Sequence, residues 1–271
     1  MNPAASLTRG ALPVGAQLRE WRQRRRLSQL DLSIDAEVST RHLSFVETGR
    51  AMPSREMVLR LADRLDVPLR ERNRLLTAAG FAPMFGERAL DDPALKAARA
   101  AIELVLKGHE PYPALAIDRH WTLVSYNRAV LPLLAGVAPE LLQPPLNVLR
   151  LSLHPKGLAP RIVNLGQWRA HLLARLRQQV AVSADPVLAA LAEELRAYSA
   201  PAGSTIMPTE PIEAAVVMPL VLATPAGTLS FITTTTVFGT PVDITLSELA
   251  LETLFPADAA TAHALRAALD G

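Results

Sequence analysis

A chain of 271 residues is long enough for two modest domains, and a hydrophobic content of 49% excludes wholesale disorder. With no cysteine, disulfides and thiolate metal sites are excluded. The net charge of +2 conceals an asymmetry: residues 1–80 hold 14 arginines, no lysine and 9 acids, net +5, whereas the other 14 basic and 17 acidic residues give net −3, so only the first part has electrostatics suited to a polyanion.

The first 80 residues read as helices in quick succession. Leu18, Trp21, Leu27 and Leu30 begin the apolar pattern, Leu32, Ile34 and Val38 continue it, and Leu43, Val46, Val58, Leu61, Leu65, Leu69, Leu75 and Leu76 follow at three- and four-residue steps. Ser28, with Asp31 three residues on, caps a second short helix that is expected to end near Glu37. Ser39 caps a third, running to Glu47 and closing at Gly49, the residue best able to take a left-handed C-cap. So short a connection forces a sharp crossing, and burial of Leu32, Val38, Leu43 and Val46 leaves the opposite face of the third helix in solvent.

That face carries Thr40, Arg41, Ser44 and Phe45, with His42 to one side. Arg pairs with guanine, Thr and Ser donate or accept, and Phe or a Thr methyl contacts the thymine methyl, so the mixture suits base edges. Gln29, with the backbone N–H groups at the start of helix two, and Arg50 beyond helix three are placed for phosphate. The DNA-binding set is therefore Gln29, Ser39, Thr40, Arg41, Ser44, Phe45 and Arg50. Ser28-Gln29, Leu32-x-x-x-Ala36, Val38-Ser39, Leu43-Ser44, Val46-Glu47, Gly49-Arg50 and Pro53-Ser54 resemble the Cro/C1 repressor-type (XRE) helix-turn-helix family over residues 15–79. The resemblance implies an ion pair between Arg22 in helix one and Glu47 near the end of helix three. Ile34-Asp35 depart from the small residues usual near the helix crossing.

Beyond Gly80, FAPMFGERALDD reads as a linker or an arm packed on a neighbour. Asp92 then caps a helix with Pro93 at its first position, running through Ile102 and Val105 towards Lys107. Ala114–Asp118 and Thr122–Tyr126 are strand candidates separated by a turn at Arg119-His120, and a helix from Asn127 to Leu134 follows. Leu165, Trp168, Leu172, Leu173, Leu176 and Val180 form one helical stripe, and Asp185-Pro186 caps a further helix. AAVVMPLVLAT and GTLSFITTTTVF read as a hairpin, and SELALETLF as a closing helix.

The segments HEPYPALAIDRHWTLVSYNRAVLPLLAG and NVLRLSLHPKGLAPRIVNLGQWRAHLLARLRQQ are similar to the ligand-binding domain of MmyB-like regulators. That similarity implies a PAS-like antiparallel sheet flanked by helices around an apolar cavity, a lipophilic, fatty-acid-like effector and homodimerisation. The expected fold is α+β: an all-α five-helix domain at 12–82, a linker and connecting helix at 83–107, and a ligand-binding and dimerisation domain at 108–271. Expected cavity-lining residues are Trp121, Leu123, Tyr126, Val217 and Phe231 from strands, and Trp168, Leu172 and Leu176 from a helix.

No histidine pair has H-x-x-x-H or H-E-x-x-H spacing, and the G-x-S-x-G, G-x-x-x-x-G-K-[ST] and G-x-G-x-x-G patterns are absent, so neither an enzyme nor a metal or other cofactor is expected. Asp118-Arg119-His120 and His154-Pro155-Lys156-Gly157 read as polar turns. The start MNPAASLTRGALPVG lacks the apolar stretch of a signal peptide, and no apolar run reaches the roughly 18 residues of a membrane span, so a cytoplasmic protein without membrane contact is expected. The reading is a sequence-specific transcription regulator binding double-stranded DNA as a homodimer under a lipophilic effector. The alternative is a DNA-binding protein whose C-terminal domain docks proteins, dimerises or is an enzyme.

Overall fold

A computed structural model describes residues 12–199, 218–225, 227–238 and 243–270. They divide into two compact units, the first reaching Glu87 and the second beginning at Arg88, with Asp243 and Ile244 returning to the first.

The first unit holds α1 (Val14–Arg24), α2 (Gln29–Asp35), α3 (Thr40–Glu47), α4 (Arg55–Arg64) and α5 (Leu69–Ala78). Three of them start on serine caps: the hydroxyls of Ser28, Ser39 and Ser54 accept from the N–H groups of Asp31, His42 and Met57, and Asp31 returns the bond to the Ser28 N–H. All five end alike, on a residue with positive φ, namely Arg26, Glu37, Gly49, Asp66 and Gly80. In α3 the Gly49 N–H bonds the Val46 carbonyl and the Arg50 N–H bonds the Phe45 carbonyl, the two links of a Schellman turn. The same pattern at Glu37 stops α2 at Asp35, earlier than its apolar pattern suggests, so Ala36–Ser39 form the connection to α3.

Leu18, Trp21, Leu32, Leu43, Val46, Val58, Leu61, Leu65, Leu75 and Leu76 share one core, with Val38 packed at its edge. Leu30 and Ile34 do not join it, being 57% and 66% exposed. They lie four residues apart on the outer face of α2, so Ile34 creates no crowding at the crossing. Ser33 occupies that place instead, buried with its hydroxyl 2.8 Å from that of Thr40. Beyond α5 the chain is held to it: the Asn73 carboxamide oxygen accepts from the N–H groups of Met84 and Phe85, and its NH2 donates to the Phe85 carbonyl.

The second unit is a five-stranded antiparallel sheet in the order β2-β1-β5-β4-β3. Its strands are β1 (Ala114–Ile117), β2 (Leu123–Tyr126), β3 (Leu220–Thr224), β4 (Gly227–Val237) and β5 (Ala250–Pro256). The helices are α6 (Lys96–Gly108), entered through a single 3-10 turn at Pro93–Leu95 capped by Asp92, α7 (Val148–Leu153), α8 (Leu165–Ser183), α9 (Pro186–Ala197), the short α10 (Ile244–Ser247) and α11 (Ala259–Asp270). Arg128–Leu134 is 3-10 rather than α-helical, since Pro132 inside it removes a backbone donor.

SELALETLF is not a closing helix. Ala250–Pro256 is the central strand, paired antiparallel with β1 on one side and β4 on the other. A strand covered on both faces loses its polar-apolar alternation: Leu251, Glu252, Thr253 and Leu254 are all buried. Alternate residues serve two cores. Ala114, Ala116 and Leu251 meet Ile102 and Leu106 of α6, while Ile117, Leu254, Phe231, Leu222 and Leu220 face the larger cluster that includes Trp168, Leu172 and Leu176 of α8.

Candidate DNA-reading surface and effector cavity

In the first unit, α3 is held from behind by a buried ion pair. Arg22 on α1 donates from Nε to Glu47 Oε1 at 2.7 Å and from Nη2 to Oε2 at 2.8 Å, and its Nη1 donates to the Leu27 carbonyl at 2.8 Å. The side chains are 10% and 1% exposed. Burial opposes ionisation of Glu47, but the hydrogen bonds from Arg22 and Gln29 and the positive charges of Arg22 and Arg19 outweigh it and hold the carboxyl below its usual range. Gln29 Nε2 donates to Glu47 Oε2 at 2.8 Å, a contact the sequence reading missed. One amide N–H of Gln29 is therefore engaged inside the protein, and the other lies outside that bond.

The outer face of α3 presents Arg41 exposed and Phe45 half-buried, with Arg50 exposed just beyond the helix end. The two guanidinium carbons lie 5.4 and 6.0 Å from the centre of the Phe45 ring, within cation–π range. Ser39 is exposed at the start of the helix, and Ser44 is half-buried. Thr40 is half-buried with its hydroxyl on Ser33. Several other arginines are structural: Arg25 donates to the Leu65 and Asp66 carbonyls at the end of α4, and Arg72 to the Val67 carbonyl. Overall charge thus overstates the cations available at the α3 face.

In the second unit, the sheet face and helices α7 and α8 enclose an apolar cavity of about 110 Å³. Leu115, Leu220, Leu222, Thr233, Glu252 and Leu254 line it from strands, and Leu149, Ser152, Trp168, Leu172 and Arg175 from helices. Trp121 enters from the β1–β2 turn. The Asp118 carboxylate accepts from the N–H groups of His120 and Thr122, both at 2.8 Å, and Trp121 takes a φ of 65° inside that turn. Its indole N–H bonds Gln179 and the Arg175 guanidinium lies 4.5 Å above its ring.

The polar wall of the cavity is satisfied internally. Arg175 donates to both Glu252 oxygens at 2.6 and 3.2 Å and to Thr235, and the Trp168 N–H bonds Ser152. His171, stacked on Trp168, is pushed below the usual imidazole value, first by burial and then by Arg175, so it favours the neutral form. Among the described residues no buried side-chain polar atom lacks a partner, and no cluster of three or more metal-ligating side chains occurs. The cavity therefore offers apolar surface, with its polar groups already paired to one another.

Residues 98–268 match the family described as MmyB-like transcription regulator ligand binding domain, and residues 13–75 match a helix-turn-helix family. The chain belongs to the MmyB-like family of transcription regulators. No curated protein matches it. As an MmyB-like regulator it joins a helix-turn-helix DNA-binding domain to a ligand-binding domain, and among its described residues no helix is long and apolar enough to cross a membrane.

Of the residues expected to line the regulator's cavity, Trp121, Trp168 and Leu172 do so. Leu176 and Phe231 do not, being fully buried in the core. Leu123 and Tyr126 are also outside its wall; Tyr126 is 43% exposed, facing a separate surface depression with Asn127 and Glu103. Val217 lies outside the described residues. The reading missed Glu252 and Leu254, because β5 looked helical, and Arg175, whose charge pointed to solvent while its Glu252 partner lies 77 residues away.

Proposed function

We propose that this MmyB-like regulator acts in the cytoplasm as a homodimer, reading duplex DNA through a Cro/C1-type helix-turn-helix at about residues 12–82. A connecting segment at 83–107 follows, and a small lipophilic, fatty-acid-like effector bound in the domain at 108–271 controls it. The single observation that carries the effector reading is the apolar cavity walled by Trp121, Trp168 and Leu172, in a domain of a ligand-binding family.

For the DNA side, Arg41 and Arg50 braced on Phe45 offer charge and planar donors on the open face of α3, with Ser39, Thr40 and Ser44 beside them and Gln29 at the phosphate end. One such helix reads only a few base pairs, which favours two half-sites about 34 Å apart or a multiple of that on a pseudo-palindromic operator. An effector changes DNA affinity only by binding the competent and incompetent arrangements unequally, and a tenfold change needs about 1.4 kcal/mol of difference.

The test is mass spectrometry of small molecules released from the purified protein, followed by operator binding and melting with a panel of fatty acids. A released lipophile that shifts both quantities supports the reading. No shift in either overturns the effector reading in favour of docking or dimerisation, and a monomer in sedimentation with and without DNA overturns the dimer.

A further inference from the structure

The cavity described above is small for an effector: a cavity of about 150 Å³ takes up benzene, and pockets for drug-sized ligands are about 300 Å³ or more. At 110 Å³ it holds only a short apolar group. A second apolar depression of about 320 Å³ lies in the same unit, bounded by the 3-10 turn, the β3–β4 hairpin and α11 through Ala129, Pro132, Leu229, Ala264 and Ala268. Among the described residues Leu133 alone lines both. The two walls are also neighbours across the hairpin, where Leu222 of the first pairs directly with Leu229 of the second.

The backbone around Leu133 is held, which leaves the side chain as the movable part. Arg161 donates to the carbonyls of Leu133 and Ala135 on the 3-10 turn and to that of Ala223 on β3. Leu133 itself is a buried leucine with apolar space on two sides, and a rotamer change in such a side chain breaks no hydrogen bond.

We propose that cavity and groove are two compartments of one site for an elongated lipophilic molecule, and that the Leu133 side chain is the partition that sets the chain length accepted. This rests on the effector reading above and adds to it a chain-length limit: the ligand is an unbranched apolar chain too long for the cavity alone, its far part lying along α11 in the groove.

Calorimetry on the full chain with hexanoate and palmitate tests it. Unmodified protein binds palmitate at least about tenfold more tightly than hexanoate, because the extra methylenes leave water only if the groove is used. Leu133→Trp blocks the passage, and Ala268→Trp, at an exposed groove position, fills the far compartment with little risk to folding. Ala268→Trp abolishes the advantage of palmitate while hexanoate binding stays, Leu133→Trp abolishes it and weakens hexanoate as well because Leu133 also walls the cavity, and Leu133→Ala enlarges the advantage. If hexanoate binds but palmitate shows no advantage, or keeps it in Ala268→Trp, the two-compartment site is wrong while the effector reading stands. If neither acid binds the unmodified protein, both fall.

Discussion

Arg22 and Glu47, 25 residues apart in the chain, meet in a two-bond ion pair that fastens the first helix to the C-terminal end of the third. A third partner, Gln29, completes the carboxylate's bonding from the start of α2, so one buried side chain joins all three helices. Removing Glu47 strands a buried guanidinium, and Glu47→Ala is expected to destabilise the first unit by about 3–5 kcal/mol in denaturant unfolding. Replacing the pair with Arg22→Met and Glu47→Leu together costs far less than the sum of the single changes. A loss below about 0.5 kcal/mol for Glu47→Ala would show the pair behaving as surface charges do.

The same pair fixes a pH dependence. Glu47 is depressed in the folded state, so its contribution is complete above the ordinary carboxylate range and is lost as the pH falls through the lowered folded value. Melting followed from pH 7 towards about pH 3 therefore declines on the acid side partly through this group, and Glu47→Gln flattens that limb while lowering stability at neutral pH. An unchanged acid limb in the variant assigns the decline to other carboxylates.

The proposed base-reading and phosphate contacts are separable by substitution. Arg41→Ala costs about 1–3 kcal/mol on the preferred operator and relaxes one base position, whereas Gln29→Ala weakens all sequences more evenly. Because Gln29 also bonds Glu47, its variant loses thermal stability as well, which Arg41→Ala does not. Equal losses for Arg41→Ala on specific and random DNA would reject its base-reading role.

Backbone geometry makes opposite forecasts at two positions. A Cβ on Gly15 would stand 1.9 Å from the Val46 carbonyl oxygen, where α1 crosses the end of α3, so Gly15→Ala forces the helices apart and costs about 3 kcal/mol or more. Asp66 is exposed and left-handed, with φ of 46°, at the end of α4. Asp66→Gly relieves that conformation and raises stability by up to about 1 kcal/mol in melting experiments. A stabilised Gly15→Ala, or a clearly weakened Asp66→Gly, would contradict these geometries.

The first unit was legible because its signals are local. Serine caps, three- and four-residue apolar steps and Gly49 act within one helical turn, and they place α3 and its outer face without knowledge of the rest. Arg119-His120 as a turn was readable for the same reason, since Asp118 bonds within its own four residues. What no local signal carries is which side of a short helix is buried, so Leu30 and Ile34 looked like core and are exposed. Nor does it reveal non-glycine stops such as Glu37, where the fold holds a residue in a left-handed turn. In the second unit the residue patterns offered strands and helices and the resemblance to MmyB-like regulators implied a sheet around an apolar cavity, but the wall of that cavity was decided by pairing over long distances. β5 is a strand because β1 and β4 hold it from both sides, and that pairing buries Glu252 where Arg175 can neutralise it. Sheet register and buried charge pairs draw their free energy from partners far away in the chain, and so only the tertiary structure settles them.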